Sequence, residues 1–433
     1  MTIIYLLLFV FSLFIYKTIY RTVYVPGTIM AVVWCVLPII SDRGLYGLKV
    51  TSMSGAIVIV ISYISYLVGT LVSSSVFQVT KTGYRVNIQN IEREEYVNYR
   101  FLIIGNIFGI FILSKRLLNS IAIIQSMGFA YLRYVSNTEF GSTIEILIYA
   151  YFAIPFAYVS LIICFFNFAT KKKINKPTLI LSSVLIIINA IVWAERASLV
   201  RIALYAFFAM FFCITKERSK KQMLFFCALG VLFIVAISFL TAKRMEGFSL
   251  AQSIAIYFGG PFYVLGYIID NPDIYKLNIG NYMWGAGAFG FIFNTFYYAI
   301  AVFLGIDYAG SDYIIGNLTQ NTYVWATTEM RMNASYTAAF VFLKDFGYIG
   351  LFLGFFFLGA ISHYILVKYV KHPNLKNGAI YIAMLYILFK TVSRYELIGT
   401  EYFMLFCILS FSLWKPKLSI IVGGNKKIYK RKE

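Results

Sequence analysis

The sequence predicts an all-α polytopic membrane protein of about eleven transmembrane helices, within a range of 10 to 13, with one large external loop that carries short interfacial helices. Three observations carry this prediction. Hydrophobic residues make up 60% of the 433 and charged residues only 13%, far from the balance of a globular domain. Mean hydropathy is +0.77. Apolar runs of membrane-crossing length recur between short basic loops.

In chain order the runs are 2–16, 23–40, 53–77, 101–114, 146–168, 178–194, 198–214, 223–240, 347–367, 378–393 and 397–414. The first has no basic region before it and no small-residue cleavage site after it, so it reads as a span and not as a removable signal. The apolar core of the fourth is too short to cross alone, and it is expected to continue over Lys115 and Arg116 to about residue 123. Only Glu195, Arg196 and Ala197 separate the sixth and seventh, which predicts a tight helical hairpin. The chain thus divides into helices one to eight (1–240), an external loop region (241–346), helices nine to eleven (347–414) and a basic tail (415–433). All five cysteines fall inside apolar runs, where they pack as small hydrophobes and form neither a disulfide framework nor a zinc spacing.

Charge orients the bundle. Of the 38 lysines and arginines, 24 fall in 17–22, 79–100, 169–178, 215–222, 368–377 and the tail, and the remaining 14 are spread over the much longer alternate loops. The first set is expected to be cytoplasmic, with the N-terminus and segment 241–345 outside. A net charge of +20 distributed in this way is a topology signal and does not call for nucleic acid. Two stretches of the external segment, 252–269 and 285–306, are themselves apolar and aromatic, yet the connection 270–284 carries Asp270 and Asp273 against Lys276 alone. Both are therefore expected to lie on or dip into the outer face, the first broken at Gly259-Gly260-Pro261. Irregular backbone at membrane depth is tolerated where it lines a wet cavity, so the segment is expected to cap one.

There is no Walker loop, Rossmann glycine fingerprint, His-Glu-x-x-His or nucleophile-elbow serine. The two histidines, His363 and His372, lie toward the cytoplasmic side, so acid–base work on the outer face falls to carboxylates and charge stabilisation to arginines. The outward candidates are Arg196, Arg244, Arg331 and Arg394 with Glu195, Glu246, Asp312, Glu329, Asp345, Glu396 and Glu401. Arginine suits a diphosphate because its planar fork binds phosphate oxygens bidentately and keeps its charge. Each arginine could instead snorkel to the interface or pair with a glutamate. Arg196 resists that account best, and Arg201 would lie within the seventh helix facing the bundle.

Asp345-Phe-Gly reads equally as a base and as the N-cap of the ninth span, two compatible roles. Arg394 and Glu401, seven apart, would share a helical face and pair. Asp270-Asn-Pro-Asp273 is a turn rather than a metal pair. Aromatics form 19% of the chain, many of them expected in interfacial belts. In the external segment Tyr323, Trp325, Asn333 and Tyr336 belong to a mixture of flat rings and amides that suits sugars or, equally, the packing of a cap.

Asn333-x-x-Tyr336-Thr337, followed by Asp345-Phe-Gly347-x-x-Gly350 and by glycines at 354 and 359, resembles the O-antigen polymerases of the Wzy type, also called oligosaccharide repeat unit polymerases. Glu195-Arg196-Ala-Ser-Leu is similar to a small-residue–arginine segment common there. The likeness covers the whole chain in architecture, but in motif only about 194–202 and 331–359. An Arg-x10-Gly pattern frequent in the family is absent: Ala255 stands eleven residues after Arg244 and Phe342 eleven after Arg331.

The resemblance implies a GT-C-like glycosyltransferase of the bacterial plasma (inner) membrane. It would transfer a growing glycan from undecaprenyl diphosphate to the non-reducing end of another lipid-linked repeat, building O-antigen, capsule or a similar surface polysaccharide. In that reading Arg196, Arg244, Arg331 and Arg394 hold the diphosphate, Asp345 or Glu329 is the base, and Tyr323, Trp325, Asn333 and Tyr336 meet sugar. Neither metal nor other cofactor is expected. The partners are undecaprenyl-diphosphate-linked oligosaccharides, membrane lipid and a chain-length regulator protein. The related O-antigen ligases share the architecture but depend on an external histidine that this chain lacks. A flippase or other transporter would scatter charge along the bundle centre.

Overall fold

The computed structural model describes residues 1–77, 96–128, 131–132, 143–193, 197–213, 224, 249–306, 308–321, 324–328, 330–332 and 336–414. All but one residue of the eighth expected span, and the whole of the basic tail, lie outside them. Among the described residues the chain is helical apart from one antiparallel pair, β1 (Val324–Trp325) and β2 (Arg331–Met332). The helices are α1 (Thr2–Tyr20), α2 (Pro26–Asp42), α3 (Met53–Val76), α4 (Tyr99–Met127), α5 (Tyr149–Ala169), α6 (Lys176–Val192) and α7 (Ala197–Phe212). After these come α8 (Leu250–Asp270), α9 (Gly290–Leu304), α10 (Ser311–Asn321), α11 (Ala338–Lys371), α12 (Leu375–Lys390) and α13 (Glu401–Ser412). Among the described residues six helices are long and apolar enough to cross a membrane, which makes this a multi-pass membrane protein.

Local chemistry sets the helix starts. The side chains of Asn98, Asn175 and Asn374 each accept the amide three residues on, at 3.1, 3.0 and 2.8 Å. Ser249 and Gln252 close a capping box at the head of α8. In α2 a π-turn over Val32–Val36 leads into Pro38, whose missing N–H demands a local change of register. As the sequence suggests, α4 runs on over Lys115 and Arg116, and Arg116 pairs with Glu145 at 3.1 Å.

Small residues let the helices approach. A side chain at Gly69 would strike the Phe356 carbonyl, and one at Gly359 the Tyr66 carbonyl, so α3 and α11 lie backbone to backbone. Asn106 adds a polar tie from α4 to Ser160 of α5 at 2.8 Å. Tyrosine is a core residue here more than an interfacial one. Tyr16, Tyr20, Tyr63, Tyr66, Tyr205, Tyr369, Tyr381, Tyr386 and Tyr402 are fully or almost fully buried. The Tyr66 hydroxyl meets Ser362 at 2.9 Å and the Tyr369 hydroxyl donates to the Cys213 carbonyl at 3.0 Å, so part of this set ties helices together by hydrogen bonds, whereas Tyr205, Tyr381 and Tyr402 pack by their rings. The residues Ile3, Phe14, Phe111, Phe303 and Ile349, by contrast, are exposed and apolar.

The loops sort to two ends. Tyr20 on His363 at 2.6 Å, the Asn98 amide on the Ser412 carbonyl at 2.8 Å and Tyr369 on Cys213 gather one end, where Lys17, Arg21, Lys171, Lys368 and Lys371 also lie. Opposite it the N-terminus meets Asp42, the Lys49 amide bonds the Ala326 carbonyl at 2.8 Å and Ser54 bonds Asp270. We call these the basic end and the loop end.

One expectation needs correction. Helix α8 is not broken at Gly259-Gly260-Pro261 but continuous. The two glycines serve close packing, Gly259 against Ile40 and Leu48, Gly260 against Met332. Although α8 is long and apolar enough to cross, it touches loop-end residues along its length, from Phe389 at Phe258 to Ser54 at Asp270. A half-helix precedes the long helix of the ninth span. Helix α11 starts at Ala338 and turns back on itself at Phe346 and Gly347, the latter at φ 60° and ψ −142°, a conformation open to glycine. The Phe342 ring consequently lies on Gly354, and the Phe342 carbonyl on Gly350. The half-helix 338–345 therefore climbs from the level of Thr391, whose carbonyl takes the Ala338 amide at 2.8 Å, before 348–371 descends.

Candidate functional site

The turn between α12 and α13 brings charge into the bundle at the loop end. Arg201 of α7 reaches Glu396 in that turn, Nη2 to Oε2 2.9 Å, and its Nη1 bonds Glu401 at the head of α13. Tyr158, Tyr386 and Tyr402 enclose the guanidinium, with ring centroids 4.3, 4.8 and 5.9 Å from its central carbon. Lys390 stands 3.8 Å from Glu396. Burial alone would raise the Glu396 pKa, but Arg201, with Lys390 and Arg394, holds it below the ordinary glutamate value. Arg201 Nε and the Tyr402 hydroxyl have no hydrogen-bond partner among the described residues.

Arg394 lies in the same turn and hydrogen-bonds Tyr336, which is buried; burial pushes the phenol up and the guanidinium opposes the shift. The Tyr336 amide also bonds the Ser393 carbonyl at 3.2 Å, so the foot of the half-helix and the α12–α13 turn are joined. The expected Arg394–Glu401 helical pair does not form. Residues 394 to 400 are not α-helical, the seven-residue spacing has no face to act on, and Glu401 turns to Arg201.

Asp345 is 1% exposed, and its two carboxylate oxygens accept the Gly287 and Ala288 amides at 2.9 and 2.6 Å. It is thus not the cap of its own helix; it braces the loop that leads into α9. Its neighbour Lys344 does the same for the preceding turn, donating to the Lys276 carbonyl at 2.6 Å and the Tyr275 carbonyl at 3.5 Å. Farther along, Asn294 of α9 donates to the Ile398 carbonyl at 2.6 Å and to Ser311 at 3.0 Å, and Tyr298 donates to Asp312 at 2.7 Å. These bonds dock α9 and α10 on the α12–α13 turn. Between α10 and the loop 276–286 lies a cavity of about 470 Å³, with Lys276, Lys344, Tyr282, Tyr313, Asn281 and Asn317 among its walls.

Of the residues singled out in the sequence, Arg196, Arg244, Glu329, Tyr323 and Asn333 lie outside the described residues. Arg331 is exposed and stacks on Trp325, 4.2 Å from its ring, on the β-hairpin beside α8. Arg394 and Tyr336 come together, and with them Glu396. Sequence reasoning marked Arg201 as facing inward but missed its two carboxylate partners, and it missed Lys276 and Lys344 as cavity residues. No signal in the sequence pairs positions about 200 residues apart. Among the described residues no group of three or more His, Cys, Asp or Glu side chains is placed to hold a metal ion. Comparison with protein-family models, with curated proteins and with solved structures finds no match in any of the three.

Proposed function

We propose that this multi-pass membrane protein is a polymerase of undecaprenyl-diphosphate-linked oligosaccharide repeats, acting at the outer face of the bacterial plasma membrane with its basic end cytoplasmic. In this reading it is a GT-C-like glycosyltransferase of about eleven spans, independent of metal and cofactor. The observation that carries the proposal is the burial of Arg201 between Glu396 and Glu401 at the loop end, beside Arg394 and the foot of the half-helix. Paired charge inside a bundle is expensive and marks function more often than packing. That this charge gathers at one end, next to a cavity walled by tyrosine, asparagine and lysine, favours chemistry on a sugar at the membrane surface over passage through the bilayer.

In the reaction, the 4-, 3- or other free hydroxyl at the non-reducing end of one repeat attacks the anomeric carbon of the donor glycan. The bond from that carbon to the diphosphate oxygen breaks, and undecaprenyl diphosphate leaves with the electron pair. Arg394, together with Arg196, Arg244 and Arg331, neutralises the departing diphosphate. The proton of the attacking hydroxyl passes to a carboxylate. With both oxygens of Asp345 held by amides, Glu401 is the better-placed base beside Glu329, because its side chain is 26% exposed. Asp345 then acts as a positioning residue.

The test is to resolve surface glycan by size in cells lacking the protein, supplied with wild type, Arg394→Ala, Glu401→Gln or Asp345→Asn. A ladder that collapses to single repeats, still exported and attached, supports polymerisation. Failure of single repeats to reach the surface points to a transporter, and long chains left on the lipid point to a ligase.

A further inference from the structure

The cavity between α10 and the loop 276–286 has an unbalanced charge. Two lysines, Lys276 and Lys344, contribute to its wall and, among the described residues, no aspartate or glutamate does. Lys344 is 2% exposed, yet its ammonium meets only the Tyr275 and Lys276 carbonyls, and among the described residues no carboxylate lies within ion-pair distance of it. A buried cation without a counterion is costly to keep, and carbonyl dipoles offset only part of that cost. Lys276 adds a second, exposed cation at the rim and stands at φ 53°, a left-handed conformation that a residue with a side chain adopts only when its surroundings impose it. The turn that imposes it closes through the Lys276 amide on the Asp273 carbonyl at 3.1 Å and the Leu277 amide on the Pro272 carbonyl at 2.8 Å.

The rest of the wall is of a different kind. Tyr282, Tyr308 and Tyr313 contribute aromatic rings that carry hydroxyls, and Asn281 and Asn317 supply amides. Aromatic faces beside amide donors and acceptors match the alternating apolar and hydroxyl surfaces of a pyranose. The volume of about 470 Å³ falls within the usual range of small-ligand sites, about 300–1,000 Å³.

From this arrangement we infer that the cavity is a subsite for an acidic sugar, one that carries a carboxylate or phosphate substituent, with Lys276 and Lys344 supplying the charge and Tyr282 and Tyr313 the stacking surface. The inference rests on the polymerase reading in that the sugar would belong to the repeat unit being joined. It predicts that the repeat is anionic. An anion could also reach the two lysines as the diphosphate of the lipid carrier, but the tyrosine and asparagine walls select the saccharide.

Binding to the full-length protein in detergent distinguishes these sources. The probes are a glucuronate-bearing disaccharide, its uncharged glucose counterpart and geranyl diphosphate, each titrated against wild type and Lys276→Gln. Lys276→Gln leaves intact the backbone carbonyl that Lys344 uses, so the loop keeps its anchor. The expected result is that the acidic disaccharide binds at least about tenfold more tightly than the neutral one, and that Lys276→Gln erases most of that difference. Equal binding of the two disaccharides, or a Lys276 effect confined to geranyl diphosphate, overturns the inference. Because the readout is binding, it separates from polymerisation. Acid-selective binding together with an unchanged glycan ladder in cells lacking the protein would leave the subsite standing and remove the polymerase. A collapsed ladder without acid selectivity would do the reverse.

Discussion

Arg201 and Glu396 stand 195 residues apart in the chain and 2.9 Å apart in the bundle, and Glu401 shares the same guanidinium. Removing the arginine leaves a buried carboxylate, Glu396, and a partly buried one, Glu401, without their main counter-charge. Arg201→Ala should destabilise the protein by about 3–5 kcal/mol, visible as a large drop in the detergent melting temperature. The triple change Arg201→Met, Glu396→Gln and Glu401→Gln should recover much of that loss while leaving activity abolished. A melting temperature unmoved by Arg201→Ala would mean the triad contributes nothing to the fold.

The acid limb of stability should carry the signature of Glu396. Its folded pKa lies below the ordinary value of 4.5, so its contribution is complete above that value and is lost as pH falls through the lower one. The advantage of wild type over Glu396→Gln should therefore hold from pH 7 down through about 4.5 and shrink below it. The check is a melting series across pH 3 to 7. Parallel curves for the two proteins would contradict the assignment.

Asp345→Asn keeps one acceptor for the two amides and loses the charge. It should cost about 1.5–3 kcal/mol and loosen the loop that contains Gly287, read as faster limited proteolysis between residues 275 and 290. A variant that resists protease like wild type yet fails to polymerise would return the base role to Asp345.

Gly359→Leu forces α11 away from α3, since a side chain there meets the Tyr66 carbonyl; Gly69→Leu does the same from the other helix. Either change should lower the melting temperature sharply. Gly280→Ala, at a position open on all sides, should be neutral within about 0.5 kcal/mol. Thermal melts of the three variants side by side decide this.

Much of the architecture was legible because hydropathy and loop charge are dictated directly by the bilayer. The run across Lys115 and Arg116, the 178–194 and 198–214 pair, and the gathering of Lys17, Arg21, Lys171, Lys368 and Lys371 at one end follow from it. What was not legible depends on tertiary contact. Gly259-Gly260-Pro261 spells a break in any local reading, but Ile40, Leu48 and Met332 occupy the space the glycines vacate and hold the helix through the proline. The Arg394–Glu401 spacing spelled a pair only under the assumption of helix between them. Asp345 spelled a cap or a base because nothing near it in sequence announces the Gly287 and Ala288 amides, 58 and 57 residues away. In the site, arginines and carboxylates were visible as residue types, whereas their pairing was not.

The reversal at Phe346–Gly347 bears on how the protein is made. A half-helix of eight residues is too short for the insertion machinery to place across a bilayer, and it goes in and comes out by the same face, so it leaves the sidedness of everything downstream unchanged. It must slot into place after its neighbours are already in the membrane, guided by Thr391 at its foot and by the Gly287 and Ala288 amides at its head. The charged triad and the cavity would then be completed in the last step of maturation.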